Sequence, residues 1–147
     1  MKSFKQYLLE KKLPYRIRRI PDWNEMPAGP ELLTNSGRSR VHKLRPFTAY
    51  HGTDEKSAKN ILENGARKEG ISLTTDLAMA VNCAYDAGES ARTHGVVLAV
   101  KSKGLNHKRI ESNDMPSNHD IYHKDAIHPK HIKIKHIVVV PKGKNRG

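Results

Sequence analysis

His51 and Gly52 close a short apolar run, Phe47–Tyr50, and Thr53-Asp54 follows at once as a helix-start signal. An imidazole can donate or accept a hydrogen bond. Glycine beside it leaves the backbone open to close approach, because no side chain stands in the way. Further along the chain lie the hydroxyl of Ser72, in Gly70-Ile71-Ser72-Leu73-Thr74-Thr75, and the carboxylate of Asp120, in His119-Asp120-Ile121-Tyr122. Glu111 is a second late carboxylate, and Tyr85 an aromatic ring on a helical stretch. His119, His123, His128, His131 and His136 raise the question of a metal, but their spacings match no tight zinc pattern and no cysteine accompanies them. No metal site is expected.

The elements that must position these groups begin at Pro46. Phe47–Tyr50 reads as a strand. The next segment, to Asn64, reads as a helix capped by Thr53 or Asp54, with Ala58, Ile61 and Leu62 as its apolar stripe and Gly65 at its C′ position. Ile71–Thr74 is a short strand. Thr75 or Asp76 caps a second helix that should end near Ala87, before Gly88. Its Cys83 is expected to be a small buried thiol. The unbroken apolar run Val96–Val100 suggests a central strand covered on both faces. A strand is expected near Asp120–His123, a helical turn from Pro129 to Ile132, and a last strand over Ile134–Val140. Alternating strands and short helices, with several strands late in the chain, imply an α+β fold.

Before this region the chain is irregular. Pro14, Pro21, Pro27 and Pro30 interrupt residues 11–45, and basic residues crowd both ends of that stretch, so it reads as a basic arm that wraps the domain or stays mobile, with Trp23 able to pin it. Phe4, Tyr7 and Leu8 mark a short amphipathic helix with Ser3 as N-cap. The basic tail 142–147 should fray.

Composition bounds the partners. At 147 residues one domain is expected. Against 15 Asp and Glu stand 27 Lys and Arg, a net charge of +12, which favours polyanionic surroundings such as nucleic acid or an acidic surface. A single cysteine excludes an internal disulfide. No apolar stretch approaches the roughly 18 residues of a membrane span. With no secretory segment either, a cytoplasmic protein is expected.

In this order and spacing, His51-Gly52, the helix ending at Gly65, Gly70–Thr75, the small-residue helix and Val96–Val100 resemble the core of the ADP-ribosyltransferase superfamily, over roughly residues 46–141. The resemblance implies a split β-sheet with short helices, and nicotinamide adenine dinucleotide (NAD) as substrate. In the His-first branch, backbone beside the His-Gly pair meets the nicotinamide carboxamide and the imidazole meets ribose hydroxyls. A Tyr on the second strand stacks on nicotinamide, and a late Glu stabilises the oxocarbenium-like centre. Carried over, these roles fall to His51, Gly52 and Thr53 for binding, Ser72 where the aromatic stands, Tyr85 as a substitute ring, and Asp120 as the carboxylate, with Glu111 the other candidate. Ile127-His128-Pro129-Lys130-His131-Ile132 matches the family's Ile-x-Pro-x-x-Ile turn. Asp120 departs by one methylene from Glu, and Ser72 offers no stacking face.

The N-terminus resembles the capsid-targeting peptides of T4-like phage internal proteins, which are cut after a Leu/Ile-x-Glu site; Leu8-Leu9-Glu10 fits that site. This implies residues 1–10 as a processed peptide, and a protein carried inside the phage head and then into the host cytoplasm. The expected activity is transfer of ADP-ribose from NAD to a macromolecular acceptor, protein or nucleic acid. Two alternatives stand beside it. One is an RNA 2′-phosphotransferase, which also begins with His-Gly-Thr but carries Arg and His on the second strand, where Ser72 and Thr74 stand here. The other is an inactive, basic, DNA-associated head protein that keeps the fold.

Overall fold

Strand pairing organises the chain into a single mixed α+β architecture in the computed structural model, which describes residues 16–17, 26–44, 46–112 and 117–141. The strands are β1 (Arg16–Ile17), β2 (Thr48–Asp54), β3 (Ile71–Thr74), β4 (Gly95–Lys101), β5 (Ile110–Ser112), β6 (Asp120–His123) and β7 (Ile132–Val138). They form one seven-stranded sheet in the order β1-β7-β4-β2-β3-β6-β5. The two-residue β1 runs parallel to β7, and the other pairings are antiparallel. Two helices complete the core: α1 (Glu55–Asn64) and α2 (Leu77–Ala91). The amphipathic segment 1–11, with its Leu8-Leu9-Glu10 site, Trp23 and the tail 142–147 lie outside the described residues.

Each face of the sheet buries a different helix. Ala58 and Leu62 of α1 join Ile71, Leu73, Val96, Leu98, Val100 and Ile121 in the larger core. Ala80, Val81 and Ala84 of α2 pack with Val97 and Val138 on the opposite face. β4 lies between β7 and β2 and is buried from Gly95 to Val100, as its apolar run requires. Each such Val or Leu contributes about 1.5–3 kcal/mol relative to leaving it in water.

Helix boundaries follow local chemistry. Asp54, not Thr53, caps α1: its Oδ1 accepts from the Ser57 N–H at 2.8 Å and its Oδ2 from the Ser57 hydroxyl at 3.1 Å. Gly65 ends α1 with φ +77°, a conformation glycine reaches without strain. Asp54→Ala should cost about 1 kcal/mol of stability, read as a lower urea midpoint; an unchanged midpoint would mean the cap contributes nothing. α2 continues past the expected stop at Gly88 to Ala91. Gly88 serves close packing instead, since a Cβ there would lie 2.5 Å from the Gly95 nitrogen.

The arm joins the fold where it is described. Leu32 and Leu33 are buried, and their N–H groups donate to the Asn118 carbonyl at 2.7 and 3.1 Å. The Gly29 N–H donates to the Thr75 carbonyl at 2.9 Å, and the Thr75 hydroxyl to the Pro30 carbonyl at 2.6 Å. Among the described residues no helix is long and apolar enough to cross a membrane.

Candidate active-site cleft

The sheet is nearly divided between β2 and β3. β2 pairs with β4 along seven residues, but meets β3 only at Tyr50–Thr74. Past that pair the strands part, and the gap becomes a cleft with two lobes. The lobe on the α1 side, about 510 Å³, is lined by His51, Ser57, Asn60, Arg67, Ser72 and Tyr122 among others. The lobe on the α2 side, about 280 Å³, is lined by Tyr50, His51, Ser72, Met79, Cys83 and Asp120 among others. His51 and Ser72 belong to both lobes and therefore sit at the junction.

One hydrogen bond fixes the ring at that junction. His51 Nδ1 lies 2.7 Å from the Ser72 carbonyl oxygen. A carbonyl can only accept, so Nδ1 carries the proton, and in the neutral ring Nε2 is left as an acceptor. Burial pushes the His51 pKa below its ordinary value of 6.5, against the opposing pull of the Ser72 carbonyl and the Asp54 charge. The imidazole is thus held neutral, with a lone pair to offer a hydroxyl.

Asp120 reaches the α2-side lobe through strand register. Thr74 pairs with both Tyr50 and Asp120, so the three residues form a row across β2, β3 and β6 on one face. Asp120 is only 4% exposed, and among the described residues its buried Oδ1 has no hydrogen-bond partner. A buried carboxyl oxygen without a donor is costly to keep.

Other residues named from the sequence lie elsewhere. Thr53 is buried at the end of β2 opposite Val96, and Tyr85 packs against the α2-side core; neither lines the lobes. Glu111 sits on β5 at the sheet's edge, exposed, with Lys124 Nζ 3.3 Å from its Oε2. The close approach at Gly52 is made by α2: a Cβ there would collide with the Ala80 carbonyl and lie 2.6 Å from the Ala84 nitrogen. Cys83 is exposed rather than buried, because the inward stripe of α2 runs through Ala80, Val81, Ala84 and Gly88. Displacement of water by surrounding protein, then the charges of Asp86 and Asp120, hold its thiol above the ordinary value, so it is not an activated nucleophile.

Tyr50, Tyr122, Ser57, Asn60 and Arg67 line the cleft without having been anticipated. Ser57 and Asn60, at i and i+3 on α1, were a legible signal, since two polar residues on one helical face interrupt its apolar stripe. Tyr122 reaches the cleft only through the pairing of Ser72 with Tyr122, which no local pattern announces. Among the described residues no group of three or more His, Cys, Asp or Glu side chains could hold a metal ion.

The histidines also give a pH dependence. His123 is fully buried and its Nε2 accepts from the Asn106 N–H at 2.9 Å; burial lowers its pKa, with the Asp125 charge opposing. A folded-state pKa below 6.5 means that unfolding takes up protons below that pH. Their contribution is therefore intact above pH 6.5 and lost as the pH falls. His51→Gln should flatten the decline of the melting temperature between about pH 7.5 and 5.5; parallel curves for the two proteins would contradict the neutral assignment.

No protein-family model matches this sequence, and no curated protein matches it.

Proposed function

We propose that the protein is an ADP-ribosyltransferase, with NAD as the substrate of the split-sheet cleft and a macromolecule as the acceptor. The observation that carries this reading is that His51, its tautomer fixed by the Ser72 carbonyl, and the buried Asp120 both line the α2-side lobe. Two lobes that share His51 and Ser72 in their walls suit a ligand with two ends, and the larger lies within the roughly 300–1,000 Å³ of small-molecule sites.

Each residue then has a role it can perform. His51 Nε2 accepts a ribose hydroxyl. Asp120 accepts another and faces the positive charge that grows on the ribose carbon as nicotinamide departs. Tyr50 supplies the aromatic surface that Ser72 lacks, and burial holds its phenol above the ordinary value, so it stays neutral. Arg67, in the other lobe, can meet phosphate oxygens. The one-methylene shortfall of Asp relative to Glu is offset by a position already at the lobe wall. The N-terminal resemblance adds the proposal that the protein travels in a phage head and acts in the host cytoplasm.

The test is transfer of label from radiolabelled NAD to host lysate, separated into protein and nucleic acid. Labelled acceptor that disappears with His51→Ala supports the reading. Absence of transfer and of NAD hydrolysis in every lysate would remove it.

A further inference from the structure

Apart from the cleft, a groove of about 400 Å³ runs along the ends of β2 and β4, lined by Pro46, Phe47, Thr48, Lys101, Ser102 and Lys103. The sheet ladder gathers positive charge at this end. Thr48 pairs with Lys101 and Val100 with Ile132, which brings the 3-10 turn Pro129–His131 alongside Lys101. The turn Ser102–Gly104 closes on the same spot: a Cβ on Gly104 would lie 2.9 Å from the His131 Cβ. Lys101, Lys103, His128 and Lys130 are all exposed.

Among the described residues none of them is held in an ion pair: Lys59–Glu63 and Lys124–Glu111 use none of these side chains. The His131 ring registers the crowding: loss of water lowers its pKa first, and then Lys130, Lys103, His128 and Lys101 lower it further. Clustered positive charges on the end of a strand and two adjoining turns favour a polyanion. Lysine ammoniums are point charges that meet phosphate oxygens without the planar geometry a carboxylate prefers. Phe47, which also lines the groove, is half-buried and packed against the larger core.

We infer that this groove docks the phosphate backbone of a nucleic acid. The inference is independent of the NAD reading, since none of the residues that line this groove line the cleft. The experiment uses the full chain and a fluorescent single-stranded DNA 20-mer, with anisotropy followed across a salt series. Lys101→Gln/Lys103→Gln should weaken binding by about tenfold or more and reduce the salt slope by about 1.4, two phosphate contacts at about 0.7 each. Lys56→Gln/Lys68→Gln removes the same charge from exposed positions elsewhere and should change affinity by less than about threefold. Equal losses in the two variants would mean that charge acts without a site, and would overturn the inference. So would competition by polyglutamate as effective as by DNA of equal charge, which would make the partner an acidic protein. The substituted side chains are exposed, so unchanged melting temperatures are expected and check that the variants are folded.

Discussion

Under the proposed function, Asp120→Asn is expected to leave the protein folded and NAD bound within a few-fold, while transfer of ADP-ribose falls by about 100-fold or more. The amide keeps the size and one acceptor of the carboxylate but cannot oppose positive charge growing on the ribose carbon. Most of the loss should therefore fall on kcat, because that charge exists only in the transition state. Stability should hold or rise, since the substitution replaces a buried oxygen that has no donor among the described residues. A variant as active as the parent would leave Asp120 a spectator. His51→Ala makes the contrast: it removes the acceptor at the junction of both lobes, so KM should rise as well.

Gly52→Ala is expected to be strongly destabilising, as a methyl group at Gly65 or Gly95 would be. Its Cβ would strike the Ala80 carbonyl and stand 2.6 Å from the Ala84 nitrogen. Both are backbone atoms of α2, so no rotamer change relieves the clash and the helix must lift off the sheet. The cost should reach about 3 kcal/mol or more, a large share of a typical 5–15 kcal/mol. Chemical unfolding measures it. Gly37→Ala is the control: space is open there, and only the φ of +82° opposes a side chain, for about 1–2 kcal/mol. If the two substitutions cost the same, helix packing is not what Gly52 serves.

These two residues illustrate how far the sequence could be read. The His-Gly pair marked the right place, but the physical reason for the glycine lies in a helix almost thirty positions away. The small residues Ala80 and Ala84 carried that information, as a helix able to lie close to a sheet. The strand expected at Ile71–Thr74 and the one expected near Asp120–His123 are both present, each a short run that mixes apolar or aromatic with polar residues. β2 was drawn too short: His51 to Asp54 look like a strand's end, but each pairs with a residue of β4. β5 was missed because its pattern holds a single apolar residue, Ile110, and its pairing with β6 alone makes it a strand. Asp120 was chosen by counting back from the Ile127–Ile132 turn. Its burial and its missing donor follow from strand register, which local patterns do not encode.

The most direct test of the cleft is an NMR titration of the histidine ring nitrogens with NAD. The nine imidazoles give separable signals once each is assigned by substitution. Before addition, His51 should show a protonated Nδ1 and a bare Nε2. On addition, its Nε2 resonance should move saturably. Saturation of the protein with the His51 nitrogens unmoved, or no saturable shift in any ring up to millimolar NAD, would contradict a dinucleotide seated between β2 and β3.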